Sequence, residues 1–337
     1  MPAKILHIIT KSEIGGAQTW VKDQVTLLGD EFEHFIITNK SGWLTENTTV
    51  KKQFFVPEIE KGFSLKAYLK IVEFIKQNRI DVVVASSANA GLYARLLKVM
   101  VKIRVVYVSH GWSCIYNGGR FRKLYITIER VLSFLSDKIL CVSEKDKQDA
   151  AKIIGINENK LIHIRNCVFP RKVQNKEVRS CFKVLFLGRL AYPKRPDLLI
   201  DAISQLPSVS LDVVGDGPLL SQCSRPENVH FTGAIENFDN FSEYDLFALI
   251  SDSEGMPMSA LEAASTGLPL LLSNVGGCGE LITLNGLLVE NDSEAILKAI
   301  HEIKNDYSDY KEQAERRSVE FDIKNSYELY KTLYIGI

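Results

Sequence analysis

Short, wholly apolar runs alternate along this chain with longer segments whose apolar residues recur every three or four positions. KILHIIT (4–10), HFIITN (34–39), DVVVASS (81–87), IRVVYVSH (103–110) and KILCVS (138–143) have the continuous hydrophobicity of strands covered on both faces. Between them AQTWVKDQVTLLGD, LKAYLKIVEFIKQN, GLYARLLKVM and the segment opening FRKLYITIERVL carry helical spacing, and QFFVPE reads as loop. The second half repeats the alternation without repeating the sequence. FKVLFLGRL, VSLDVVGDG, VHFTGA, DLFALIS and LPLLLS are its strand candidates; DLLIDAISQL, PLLSQC, PMSALEAASTG and SEAILKAIHEIKNDY are its helix candidates. The pattern predicts an α/β protein with parallel sheets covered by helices.

At 337 residues the chain is long for a single core, so two domains are expected. FPRKVQNKEVRSC (169–181), polar and basic after Pro170, reads as the linker. The expected domains are residues 1–170 and 171–324, with a C-terminal helix in 325–337 packing back on the first. Hydrophobic content of 46% and charged content of 24% are those of a globular protein in water. The opening apolar run is too short for a secretory signal, and no stretch reaches the length needed to span a bilayer. Six cysteines without a C-x-x-C pair suit small buried hydrophobes in a reducing compartment.

The net charge of zero conceals a division. Residues 1–170 hold 25 Lys and Arg against 16 Asp and Glu, a balance of +9, and the remainder carries the opposite excess. Arg95, Lys98, Lys102, Arg104, Arg120, Arg122, Lys123 and Arg130 face only Glu129 between positions 95 and 130, interleaved with Trp112, Tyr116, Phe121 and Tyr125. An anionic surface or lipid phosphate is the expected partner of the cluster, although any one of these residues is equally well a solvated position on a helix.

Glu254 and Glu262 frame the most informative segment, SEGMPMSALEAASTGLPLL (253–271). Proline favours the first helical position, so a helix is expected to begin at Pro257 or Met258. Glu254 then sits in the turn with Gly255 and Met256, and Glu262 projects from the first turns. A helix start offers unpaired N–H groups and partial positive charge, which suits a phosphate, and a carboxylate on either side can accept sugar hydroxyls. Two solvated glutamates near a helix end are the plain alternative. GRLAYPKRP (188–196) puts Arg189 and Lys194 after a strand, where open α/β sheets bind ligands and where two cations suit adjacent phosphates. GGAQ (15–18) opens a helix directly after the first strand, so Gly16 permits close backbone approach, but it lacks the G-x-G-x-x-G dinucleotide pattern. His110 ends a strand before Gly111 and either donates to a sugar hydroxyl or is structural. GDGP (215–218) and Gly276–Gly277 suit the same cleft or plain turns. No metal-ligand spacing, P-loop lysine or G-x-S-x-G occurs.

Taken together, GGAQ, SHG, GRL with Lys194, GDGP and the E-x7-E of EGMPMSALE resemble the retaining glycosyltransferases of family four, in family order over nearly the whole chain. Gln18 departs from the family's more common acidic residue, which leaves the acceptor side least defined. The resemblance implies the GT-B fold, two Rossmann-like domains facing across a cleft, with the acceptor on the first and the nucleotide-diphosphate sugar, UDP-sugar by family prevalence, on the second. It implies that Arg189 and Lys194 hold the diphosphate, Glu262 the ribose, and Glu254 the donor sugar. Gly255, Met256 and Pro257 lie along the nucleotide, Gly16 near the phosphates and His110 near the sugar ring. The catalytic set is Glu254, His110, Arg189 and Lys194, with neither metal nor other cofactor and no nucleic-acid partner. A basic, aromatic-rich first domain further implies a lipid-linked glycan acceptor in bacterial surface polysaccharide synthesis and a cytoplasmic enzyme peripheral to the inner face of the membrane. A sugar-nucleotide epimerase and a non-catalytic nucleotide-sugar-binding subunit share the ligand and stand as alternatives.

Overall fold

Strands with no polar break have to be buried on both faces, and a computed structural model, which describes residues 2–116, 118–171 and 181–336, places them in two parallel sheets. The chain divides into two compact units, Met1–Arg165 with Ser326–Ile337, and Asn166–Asn325. In the first unit β1 (Ala3–Ile8), β2 (Phe32–Thr38), β3 (Lys52–Phe55), β4 (Val82–Ala85), β5 (Arg104–Ser109), β6 (Lys138–Cys141) and β7 (Leu161–His163) lie in the order β3-β2-β1-β4-β5-β6-β7. In the second, β8 (Phe182–Leu187), β9 (Val209–Val214), β10 (Val229–Gly233), β11 (Leu246–Leu249), β12 (Leu270–Ser273) and β13 (Gly286–Val289) lie in the order β10-β9-β8-β11-β12-β13. Each sheet reverses its direction of growth once, between β1 and β4 and between β8 and β11. Such reversals open a crevice at the carboxyl ends of the strands, and GGAQ follows β1, GRL follows β8 and EGMP follows β11.

Several helices cover these sheets. Those used below are α1 (Gly16–Leu28), α2 (Ala88–Leu97), α3 (Arg122–Ser133), α4 (Met258–Ser265) and α5 (Tyr327–Ile335). α5 belongs to the first unit and is fastened to α1: the Trp20 indole N–H donates to the Tyr330 hydroxyl at 3.4 Å, and the Tyr334 hydroxyl meets Gln24 Oε1 at 3.0 Å. On the sheet beneath, the His7 and His34 imidazoles are buried and stacked, with Nε2 of one 3.0 Å from Nδ1 of the other.

Some elements differ from the sequence reading. QFFVPE is not all loop: Lys52–Phe55 forms β3, an edge strand bonded only to β2, where alternating polar residues are tolerated. PLLSQC makes only a 3-10 turn at Leu220–Gln222, because Gly215 and Gly217 hold the preceding backbone at positive φ against the 188–190 loop. The short strands β7 and β13 and the helix Tyr307–Arg317 carry too little pattern to be anticipated. Most of the expected linker, residues 172–180, lies outside the described residues.

The basic cluster is also rearranged. Trp112 is buried, its indole donating to the Asp146 carbonyl at 2.9 Å, and the Tyr116 hydroxyl is taken by Asp149 at 2.7 Å. Trp112 is therefore not the surface aromatic that the sequence suggests, and Tyr116 is half-buried with its hydroxyl engaged. Arg95 is wholly buried: it forks onto Glu129 at 2.7 and 3.3 Å, donates to the Gly91 carbonyl, and lies over the Tyr107 ring. An Arg this deep is tolerated only because every side of its guanidinium plane is occupied.

Removing one member of such a pair strands a charge in apolar surroundings, so Glu129→Ala should lower the unfolding free energy by about 3 kcal/mol in a urea melt. The double change Arg95→Met with Glu129→Leu should recover most of that loss, since it removes both charges and keeps the volume.

Candidate functional site

In the second unit the loop after β8 is stitched to the end of β11. Arg195 N–H donates to the Ile250 carbonyl at 2.9 Å, Asp252 N–H to the Pro193 carbonyl at 2.8 Å, and Lys194 bridges to Ser251. This stitching delivers Lys194 to Glu254, and the two side chains form a close ion pair that is mostly shielded from solvent. On the far side the chain after β12 presses on the same turn. Gly276 has φ +51°, and a Cβ there would fall 1.7 Å from the Glu254 carbonyl oxygen, so no other residue fits. Gly277 N–H completes the clamp on the Gly255 carbonyl at 2.7 Å. Cys278, beneath, is a buried thiol whose pKa is pushed up first by desolvation and then by the Glu254 charge, so it is a neutral wall of the site.

α4 begins at Met258, with Pro257 in extended conformation as its N-cap. No side chain caps this end and its first turn holds no acidic residue, so its leading N–H groups are left to an outside acceptor. Glu262, one turn into the helix, accepts from Arg171 Nη2 at 2.8 Å, and Asp239 lies 3.8 Å from the same guanidinium. Arg189 is exposed at the carboxyl end of β8. GDGP turns against the same loop: Gly215, at φ +151°, leaves 1.9 Å between an imagined Cβ and the Gly188 carbonyl oxygen. Lys194, Glu254, Gly255 and Gly276 are thus gathered around the turn that leads into α4. Arg171 was missed; its only signal was the basic character of the linker, which gave no hint of a carboxylate partner.

The first unit holds the other expected residues. Gly16 opens α1 after β1. Beside it a cavity of about 280 Å³ is lined by Ile9, Thr10, Lys11, Ala17, Gln18, Ser86 and Ser87. The Gln18 amide donates to the Lys11 carbonyl at 2.9 Å, and the Thr10 and Ser87 hydroxyls meet at 2.6 Å. His110, following β5, stands edge-on to Trp20, with ring centroids 5.3 Å apart. Its Nε2 is enclosed without a hydrogen-bond partner. Desolvation pushes the imidazole down to about 4, so near neutral pH it is an uncharged donor and acceptor rather than a cation. Among the described residues no group of His, Cys, Asp and Glu is arranged to hold a metal ion.

Residues 14–172 match the family model described as Glycosyltransferase Family 4, and residues 181–306 the one described as Glycosyl transferases group 1. Over 98% of both chains the protein is 49% identical to the O-antigen biosynthesis glycosyltransferase WbnH of Escherichia coli. It belongs to glycosyltransferase family four. A second relative, named as a UDP-Gal:alpha-D-GlcNAc-diphosphoundecaprenol alpha-1,3-galactosyltransferase, also from Escherichia coli, is 26% identical over 90% of this chain and 88% of its own. Among solved structures, Anabaena Alr3699/HepE in complex with UDP and glucose superposes with a TM-score of 0.81 at 18% identity, covering 99% of this chain and all of that one. The likeness establishes GT-B, the fold expected of this family-four glycosyltransferase.

The buried imidazoles set its acid stability. His34, like His110, is pushed down to about 4 by desolvation, and His7 lies well below its usual 6.5. Between pH 4 and 6.5 the unfolded chain binds protons that the folded enzyme refuses, so stability is complete above pH 6.5 and is lost on acidification through that window. Urea midpoints should be level from pH 7 to 8 and fall steadily from 6.5 towards 4. The His110 C–H resonance should titrate near pH 4; a midpoint near 6.5 would refute the enclosed ring.

Proposed function

We propose that this glycosyltransferase moves a hexose or N-acetylhexosamine from a UDP-sugar to a lipid-linked glycan acceptor, with retention of anomeric configuration, in O-antigen or related surface polysaccharide synthesis. The observation that carries the reading is the uncapped start of α4 beside the largely shielded Lys194–Glu254 pair: unpaired N–H groups, a cation and a carboxylate converge on one turn. A diphosphate matches the first two, and a sugar hydroxyl matches the third. The O-antigen role is supported by the names of WbnH and of WbiN, both of Escherichia coli and both 49% identical to this chain. A lipid-diphosphate acceptor is supported by the name of the 26% identical galactosyltransferase, and a uridine nucleotide by that name and by the UDP bound in the HepE structure.

In this reading Arg189 and Lys194 hold the two phosphates and Glu262 accepts from the ribose hydroxyls. Gly255, Met256 and Pro257 line the nucleotide. Glu254, aimed by its ion pair with Lys194, accepts from hydroxyls of the donor sugar. Gly16 lets the backbone approach the donor phosphates, and neutral His110 offers a hydrogen bond to the sugar ring. The bond from the anomeric carbon to the phosphate oxygen breaks through an oxocarbenium-like state while the acceptor hydroxyl attacks the same face. Its proton passes to the departing diphosphate. Preorganised cations at the oxygen where charge develops supply the main rate term, because they need no reorganisation when the bond breaks.

Lys194→Ala should therefore lower kcat by about 10²–10³-fold, as expected for one preorganised donor. Turnover near normal would remove Lys194 from this role. Glu254→Gln should depress transfer while leaving UDP binding, read by calorimetry, nearly intact; parallel loss of both would contradict the sugar assignment. Labelled UDP-sugar incubated without acceptor should stay unchanged, whereas its conversion to a second UDP-sugar would favour an epimerase.

A further inference from the structure

Glu254 stands in the loop beyond the end of β11, and a loop side chain is placed only as well as the backbone beneath it. Main-chain contacts hold this loop on two sides, to Pro193 after β8 and to Gly277 after β12. A third hold comes from β13, which is not a neighbour of β11, since β12 lies between them. Two strand spacings amount to about 10 Å, so a side chain has to span the gap.

Asn291, just past β13, is that side chain. Its Nδ2 donates to the Ser251 carbonyl at 3.0 Å and to Asp252 Oδ1 at 2.8 Å, so both N–H bonds are directed at the stretch that leads to Glu254. Its Oδ1 accepts from the Ser273 hydroxyl at 2.6 Å, and Ser273 Oγ in turn accepts from the Ser251 N–H at 2.8 Å. Ser251 is thereby held at its N–H and its carbonyl by one closed ring of hydrogen bonds. Ser251 and Ser273 are buried and Asn291 is half-buried. The partners decide the amide's orientation: the Ser251 carbonyl can only accept, so the NH2 group faces it and the oxygen faces Ser273. An asparagine at a strand end ordinarily bonds within its own turn. This one bonds only to residues at least 18 positions away. Ser251 also bridges to Lys194, and its hydroxyl donates to the Pro193 carbonyl at 3.2 Å. The ring thus supports the backbone of both members of the Lys194–Glu254 pair, while Asn291 hydrogen-bonds to neither.

We infer that Asn291 is a positioning residue for sugar transfer: its amide fixes the backbone at Ser251 and Asp252, and so the angle at which Glu254 meets the donor sugar. The inference rests on the proposed role of Glu254 and adds to it a residue that touches no substrate.

The test is steady-state transfer by the full chain from a panel of UDP-hexoses and UDP-N-acetylhexosamines to a synthetic sugar-diphosphate lipid. Asn291→Asp keeps the size of the side chain and the bond from Ser273 but removes both donors. Oxygen then faces oxygen at Ser251 and Asp252, and kcat should fall about tenfold, the effect of net hydrogen bonds lost from the reactive geometry. KM for the UDP-sugar, and the Kd of UDP read by calorimetry, should stay within about twofold. Adding Asp252→Asn to Asn291→Asp should restore part of the rate, because the new amide can donate to the new carboxylate. Combined with Glu254→Gln, Asn291→Asp should cost little more than Glu254→Gln alone, since a residue acting through Glu254 then has nothing left to position. Ser273→Ala opens the same ring from β12 and should show the same kcat loss and the same non-additivity, so it decides the matter if Asn291→Asp does not fold.

Wild-type kcat in Asn291→Asp, or losses that multiply when it is combined with Glu254→Gln, overturns the positioning role and leaves the transferase reading intact. A raised KM and Kd with unchanged kcat makes Asn291 a support of the nucleotide site and overturns it too. Glu254→Gln that transfers at the wild-type rate sinks the sugar assignment, and the inference falls with it. A wild type that transfers no sugar of the panel sinks the transferase reading itself before any variant is compared.

Discussion

The ion pair between Lys194 and Glu254 is the contact that joins the loop after β8 to the turn after β11 in the second unit. The two side chains lie mostly out of water and each is the other's partner. Both residues sit in loops, which would ordinarily leave their geometry loose. Here the loops are bonded to one another at Pro193, Arg195, Ile250 and Asp252, and Gly276 closes the far side so tightly that a methyl group has no room. The turn that leads into α4 is therefore fixed by contacts within the second unit itself.

The first unit has ion pairs of its own, the buried Arg95–Glu129 among them, but it also holds imidazoles kept neutral by burial. His7, His34 and His110 each refuse a proton that free imidazole would accept near pH 6. Trp20 joins this region to α5 through Tyr330, so a helix from the far end of the chain packs beside His110's aromatic neighbour.

The two halves of α3 show how one helix serves both interior and surface. The Arg95–Glu129 pair ties α3 to α2 and fixes which side faces in, and the same rotation leaves Leu124, Tyr125, Ile128 and Val131 exposed. A leucine or isoleucine in place of Glu129 would suit the interior, but it would take away the partner that makes Arg95 tolerable. The buried charge thus sets the rotation of the helix, and the rotation decides which residues meet water.

The strands were legible because wholly apolar runs of β-branched residues and leucine have no other stable placement in a soluble α/β chain, and the motif order from GGAQ to E-x7-E carried the family. Where α4 begins was also written locally, in the φ restriction of Pro257. Sequence could not reveal which charges meet. Lys194 and Glu254 are 60 positions apart and Arg171 and Glu262 are 91 apart, and their pairing follows from which strand ends lie side by side. Nor could it separate buried Arg95 and Trp112 from exposed Arg120 and Phe121, since composition is blind to the rotation of a helix. Periodicity, propensity and proline act over a few neighbouring residues and are readable from the chain. Desolvation and pairing depend on elements brought together from distant positions, so only the tertiary structure decided them.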